Sequence, residues 1–438
     1  MSPATQGVIV LVATILILMS GIPVAFGLGA LAIAFLVLYQ GFDALHVVAE
    51  TFWSGLDEFT LVSIPMFIMM GAAIGSSPAG KDLYEALDRW LYRVPGGLVI
   101  SNLGACAMFA ALTGSSPATC AAIGKMGIPE MRKRGYPDEI ATGSICAGGT
   151  LGILIPPSVT FILYGIATET SIGRLFLAGV MPGLLLTALF MAWTLMFIWY
   201  KGHRAYAADF RFSWREKFES IPKVLPFLLI VGGVMYALYG GVATPSEAAG
   251  VGAALCVLLA VVIYRMWNAG AWWAILRSTT RESVMILMII ATSVLFGYML
   301  TSLYITQTLA QAIADAHLNR WVLMLFINLF LLVCGCFIPP AGIILMTAPI
   351  LLPIITAAGF DPVWFGVIVT INMEIGLITP PVGLNLFVVN AIAPDVSVSK
   401  VLWGSLPYVL MMVLAIIILS IFPGIATWLP DYLMGPGK

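Results

Sequence analysis

Gly152-Ile-Leu-Ile-Pro156-Pro157 and Gly376-Leu-Ile-Thr-Pro380-Pro381 each lie in the middle of a long apolar segment. Proline has no N–H and its ring crowds the preceding turn, so each pair predicts a helix broken near its centre. The surrounding composition decides what such a break means. Of 438 residues, 61% are hydrophobic and only 9% are charged, against about 25% charged in soluble domains. With a mean hydropathy of +1.03, the chain reads as an all-α polytopic membrane protein. A break at membrane depth frees backbone N–H and C=O groups away from water. Such backbone persists only where it is buried in protein or lines a polar cavity. Two breaks, one in each half, point to the substrate and ion site of a secondary transporter.

Other chemistries find no support. The six cysteines all sit in apolar segments, and Cys334-Gly-Cys336 has neither metal-site spacing nor a second pair. His46, His203 and His317 are scattered, and no HExxH or GxSxG occurs. The first apolar stretch has no basic region before it and is expected to stay in the mature protein.

The halves repeat. A separation of 224 (376 minus 152) relates Gly152 to Gly376, Pro156-Pro157 to Pro380-Pro381, Pro129 to Pro353 and Glu58 to Glu282. Residues 1–200 form the first repeat, 201–222 a basic linker and 223–438 the second repeat. Each repeat reads as two apolar spans, an amphipathic connector (41–56 or 268–281) and a full span (58–78 or 282–303). A polar connector then leads to a long stretch with a central interruption (98–130 or 321–354). The Pro-Pro segment (138–166 or 362–392) and a last span (172–200 or 402–429) close each repeat. The limbs of 98–130 and 321–354 are too short to cross about 30 Å of hydrocarbon twice, so each is expected to be a re-entrant helical hairpin.

Counting hairpins as non-crossing leaves five crossings per half, which inverts one repeat relative to the other. With both termini outside, 17 of the 20 Lys and Arg fall on the cytoplasmic side, and only Arg174, Arg320 and Lys438 fall outside. The basic linker then reads as a cytoplasmic loop beside the lipid bilayer, not as a nucleic-acid site.

Each break and each hairpin tip starts a half-helix inside the membrane. Its N-terminus favours a carboxylate, and the carbonyls of the opposing half favour a cation. Around the first tip, Thr113, Ser115, Ser116 and Thr119 add hydroxyls, facing Gly152, Ile155, Pro157 and Ser158. The second tip spans Gly335 to Gly342, facing Gly376, Thr379, Val382 and Asn385. Thr379 and the carbonyls of Gly376 and Val382 suit a hard cation. Asn385 and Asn390 are candidates to read a polar substrate. Glu374 is the carboxylate expected nearest the bilayer centre, either coupling an ion or proton or bracing the break. Thr244-Pro-Ser-Glu247 and Tyr136-Pro-Asp-Glu139 look like helix starts.

Thr113-Gly-Ser-Ser-Pro-Ala-Thr119, Gly149-Thr-Leu-Gly-Ile-Leu-Ile-Pro-Pro-Ser158 and Asn372-Met-Glu-Ile-Gly-Leu-Ile-Thr-Pro-Pro-Val-Gly-Leu-Asn385 closely resemble the large membrane subunit of TRAP (tripartite ATP-independent periplasmic) transporters. The resemblance covers essentially the whole chain. It implies the ion transporter fold, with a scaffold and an elevator-type transport domain. It implies import of an organic anion such as a C4-dicarboxylate, sialic acid or uronate across the bacterial inner membrane. The driving ion would be Na⁺, with no other cofactor. The partners would be a small four-helix membrane subunit and a periplasmic substrate-binding protein. Carried over by motif, one Na⁺ would bind at Thr113, Ser116, Gly152, Ile155 and Pro157, and another at Gly335, Gly376, Thr379 and Val382. Substrate would meet Ser115, Ser116, Thr119, Ser158 and Asn385. A stand-alone carboxylate symporter of the same superfamily is the alternative reading. An intramembrane enzyme using Glu374 is a remote one, because no nucleophile or metal motif accompanies it.

Overall fold

Helix start signals and proline breaks account for most element boundaries in the computed structural model, which describes residues 2–91, 96–200, 213–315 and 318–435. Arg93, Lys201, His203, Arg204, Arg211, His317 and Lys438 lie outside the described residues. The first half contains α1 (Pro3–Met19), α2 (Val24–Gln40), α3 (His46–Leu56), α4 (Ser63–Gly75) and α5 (Ala79–Leu91). It continues with α6 (Gly97–Thr113), α7 (Ser116–Lys133), α8 (Asp138–Leu154), α9 (Val159–Thr168) and α10 (Ile172–Tyr200). The second half contains α11 (Trp214–Tyr239), α12 (Pro245–Val262), α13 (Ala269–Ser302), α14 (Ile305–Asp315) and α15 (Arg320–Gly335). It ends with α16 (Pro340–Ala357), α17 (Pro362–Leu377), α18 (Leu384–Ile392), α19 (Val398–Ile421) and α20 (Gly424–Met434).

The expected breaks are present. α8 stops before Pro156-Pro157, α9 resumes after Ser158, and the two limbs are bent by 42°. α17 and α18 flank Pro380-Pro381 in the same way. Both Pro-Pro bonds are cis. α6 and α7 pack as a hairpin around Gly114-Ser115, as do α15 and α16 around Cys336–Pro339.

Other boundaries differ from the sequence reading. The connector 268–281 and span 282–303 are one continuous helix, α13, of 34 residues. Its first-half counterpart is bent by 61° between α3 and α4. The first half has Gly55, Asp57 and Glu58 at this point, and Glu58 caps the next turn through Thr60. The second half has Thr-Thr-Arg-Glu-Ser from Thr279 to Ser283, which contains no breaker. The last span, expected as 402–429, is divided into α19 and α20 at Phe422-Pro423. The basic segment before residue 223 is helical from Trp214, where Ser213 and Glu216 form a capping box. Thr244 and Glu247 form another, with Pro245 in the first turn, as the sequence implies. Tyr136-Pro-Asp-Glu139 does not. Pro137 is the N-cap there without a side-chain bond, and Asp138 instead meets Arg132 at 3.0 Å and Lys400 at 3.7 Å.

The two broken helices are central. Every residue of α17 from Val363 to Leu377 is buried, as is α8 from Ala141 to Leu154. Helices cross where glycine leaves no Cβ: Gly376 lies against the Gly335 backbone, and Gly143 against Gly404. A Cβ on Gly71 of α4 would sit 2.6 Å from the Thr113 carbonyl oxygen. α5 is tied on two sides. Asp88 meets Arg134 at 3.0 Å, while Lys223 of α11 reaches Glu85 at 3.2 Å and Asp82 at 3.4 Å. Asp82 also accepts from the Tyr264 hydroxyl at 2.7 Å.

Candidate functional site

The first hairpin tip is a buried knot of oxygens. The Thr113 and Thr119 hydroxyls are 2.8 Å apart, and Thr113 also donates to the Phe109 carbonyl at 3.2 Å. Ser116 opens α7, after Ser115 as N-cap. Its hydroxyl lies 2.8 and 3.0 Å from the two carboxylate oxygens of Glu374 and 3.5 Å from the Thr150 carbonyl. Thr113, Ser116, Thr119 and Glu374 are all buried. The tip presses directly on the break of α8. A Cβ on Gly114 would meet the Pro157 carbonyl oxygen at 2.8 Å, and one on Gly152 the Ser115 carbonyl oxygen at 2.5 Å. Gly114 also has φ +58°, a conformation glycine adopts without strain. Ser158 spans the break: its hydroxyl donates to the Ile153 carbonyl at 2.5 Å and accepts from the Phe161 N–H at 3.4 Å.

The second tip is built from backbone and is more open. The Val382 N–H donates to the Cys336 carbonyl at 3.1 Å, joining the hairpin to the break. The Thr379 hydroxyl donates to the Ile375 carbonyl at 2.7 Å and lies 3.3 Å from the Cys336 sulfur. Thr379 is half-buried, and Pro380, Pro381 and Val382 are exposed. Asn385 is buried, donates to the Cys146 carbonyl at 3.4 Å, and leaves its side-chain oxygen without a partner. Asn390 does not join it. Asn390 is five residues further round α18 and donates to the Val396 carbonyl at 2.7 Å, closing the loop after its own helix.

Gly152, Pro157, Ser115, Ser116, Thr113 and Thr119 therefore meet at one place, and Gly335, Gly376, Thr379 and Val382 at another. Hydroxyl and carbonyl oxygens dominate both, the donor set of a hard cation such as Na⁺. Among the described residues, no group of three or more His, Cys, Asp or Glu could hold a metal ion. Outside the membrane-spanning segments, Arg132 donates to Asp395 and holds that carboxyl below its usual range.

Three contacts were not readable from the sequence. Glu374 and Ser116 were each notable as polar residues in apolar runs, but their pairing joins positions 258 apart. The Cys336–Thr379 contact was hidden because a cysteine in an apolar run reads as packing. Asn372 donates to Asn328 at 2.6 Å, pinning α17 to α15. Their only signal was two asparagines in apolar helices.

Paired hairpin tips set against paired helix breaks, inside an otherwise apolar bundle, define a polytopic membrane permease rather than an enzyme. Residues 11–425 match the family model described as "Tripartite ATP-independent periplasmic transporter, DctM component", and the chain belongs to that family. It is 38% identical, over 89% of its length and 91% of the relative's, to the C4-dicarboxylate TRAP transporter large permease protein of Pseudomonas aeruginosa. It is 32% identical to the sialic acid TRAP transporter large permease protein of Vibrio cholerae, covering 96% of this chain and 98% of that one. An isethionate TRAP permease protein of Oleidesulfovibrio alaskensis is 33% identical over 94% of this chain but only 64% of its own length. The fold is that of the YdaH transporter of Alcanivorax borkumensis, with a TM-score of 0.66 over the full length of both chains at 16% identity.

Proposed function

We propose that this large permease subunit translocates a small organic anion into the cell, driven by Na⁺ bound at the two oxygen-lined contacts between hairpin and broken helix. The observation carrying this reading is that each hairpin tip touches a helix break through hydroxyl and main-chain oxygens, at Thr113–Ser116 against Gly152–Pro157 and at Gly335–Cys336 against Gly376–Val382. Half-helix N-termini there suit a carboxylate, and half-helix C-termini suit a cation. C4-dicarboxylates are the first substrates to test, because the relatives from Pseudomonas aeruginosa and Vibrio cholerae named for them are 38% and 37% identical.

The hairpins and broken helices move as one unit against α1–α4 and α11–α13, in an elevator-type cycle. Substrate arrives from a periplasmic binding protein, and a small membrane subunit flanks the scaffold helices. Both termini face the periplasm. Side-chain links agree with this division of the segments into two sides. Arg134–Asp88, Arg132–Asp395, Lys400–Asp138 and Lys223–Asp82 join segments assigned to the cytoplasm, while Arg174–Asp431 and Ser246–Phe59 join segments assigned outside.

The test is uptake into liposomes holding this chain, its small membrane partner and its binding protein. Labelled succinate should accumulate under an inward Na⁺ gradient and not when K⁺ replaces Na⁺. Equal uptake in both would refute sodium coupling, and uptake without the binding protein would favour a stand-alone symporter.

A further inference from the structure

We infer that Glu374, contributed by the second half of the chain, is the positioning residue of the cation site in the first half, acting through Ser116. The inference rests on the Na⁺ reading above. Glu374 is fully buried in α17. A buried carboxylate must be matched by donors or by a positive partner. No ion pair among the described residues involves Glu374. The Ser116 hydroxyl lies within 3.0 Å of both its oxygens and donates to them. Ser116 is also the first residue of α7, so the carboxylate sits at the positive end of the hairpin's second helix.

The consequence lies in where the Ser116 proton goes. A hydroxyl has one proton and two lone pairs. The Thr150 carbonyl is 3.5 Å away and Glu374 is 2.8 Å away, so the proton goes to the carboxylate. That bond leaves both Ser116 lone pairs free for a cation. Carboxylates that orient and enrich a ligand in this way govern metal affinity in many sites.

The arrangement runs one way between the repeats. At the repeat separation of 224, Thr150 corresponds to Glu374 and Pro340 to Ser116. Proline at 340 has no hydroxyl, and Thr150 turns its own to the Ala147 carbonyl at 2.5 Å. The second site therefore has no matching strut. Because α17 also carries Gly376 and leads into Thr379, one helix end touches both sites. Filling one is then felt at the other.

The test titrates Na⁺ against thermal unfolding of the full-length protein in nanodiscs, with choline keeping ionic strength constant. Wild type should be stabilised cooperatively by Na⁺. Glu374→Gln puts an amide N–H₂ beside Ser116 that competes for its lone pairs. It should raise the Na⁺ midpoint about tenfold or more and lower the Hill coefficient towards one. Adding Glu374→Gln to Ser116→Ala should give no shift beyond that of Ser116→Ala alone. A Glu374→Gln protein with the wild-type midpoint, even if less stable in choline, would overturn the inference and leave Glu374 a brace only. So would additive shifts in the double variant. If Glu374→Gln does not fold, Glu374→Asp keeps the carboxyl group but withdraws it by one methylene. It must still raise the midpoint, and an unchanged one overturns the inference. A wild type that ignores Na⁺ would sink the sodium reading and this inference together, a result distinct from a responsive wild type matched by its variants.

Discussion

Thr379 and Ser158 are both hydroxyls beside a proline break, yet their surroundings assign them different work. Thr379 is half-buried and bonds only within its own turn and to a sulfur. Thr379→Ala removes a hydroxyl whose loss leaves no buried group stranded, so stability should change by less than about 1 kcal/mol. The apparent Na⁺ affinity of transport should fall. An unchanged Na⁺ dependence in a flux titration would remove Thr379 from the site. Ser158 is fully buried and links the two limbs of the broken helix. Ser158→Ala strands the Ile153 carbonyl and uncaps α9, at a cost of about 1–3 kcal/mol. A lower thermal midpoint checks it, and an unchanged midpoint would show that the strut is not needed. The candidate residues were legible because a serine, threonine or carboxylate in an apolar run stands out. Which of them touch was not legible. Ser116 with Glu374, and Asn385 with Cys146, are contacts between the halves that only tertiary packing creates.

At the scale of elements, the breaks were readable because proline acts locally. The helices of the second half show the limit of that reading. Nothing in Thr279–Ser283 forces the continuity of α13, and only the absence of a breaker permits it. Close glycine crossings set the positions of the elements. Gly376 packs on the Gly335 backbone without room for a Cβ, whereas Gly232 of α11 has nothing within 4 Å of that position. Gly376→Ala must force α17 from the second hairpin, and loss of folded protein in size-exclusion chromatography is expected. Gly232→Ala should be neutral or stabilising by up to about 1 kcal/mol, since alanine favours the helix. The ion pairs on α5 give a second contrast. Asp88 is buried against Arg134, so Asp88→Ala leaves a guanidinium partly desolvated and costs about 1–3 kcal/mol. The exposed Arg215–Glu219 pair should be worth under about 0.5 kcal/mol. Thermal unfolding of Asp88→Ala beside Glu219→Ala separates these values.

At the scale of the molecule, the repeat was legible as a run of prolines and glycines at one separation. So was part of its inequality, because Thr150 stands where the second half has Glu374; how each tip is closed was not. One tip is closed, hydroxyl-rich and braced by a carboxylate from the other half; the other is open and mostly main chain. On the proposed reading, the two tips would offer different surroundings to the ions that bind there. The most direct test is a high-resolution density map of the complex prepared in Na⁺ and again in choline. The account requires an ion density among Thr113, Ser116, Gly152, Ile155 and Pro157, and another among Gly335, Gly376, Thr379 and Val382, both lost in choline. Maps that are identical at both tips in the two salts, or a Na⁺ density held elsewhere in the chain, would contradict it.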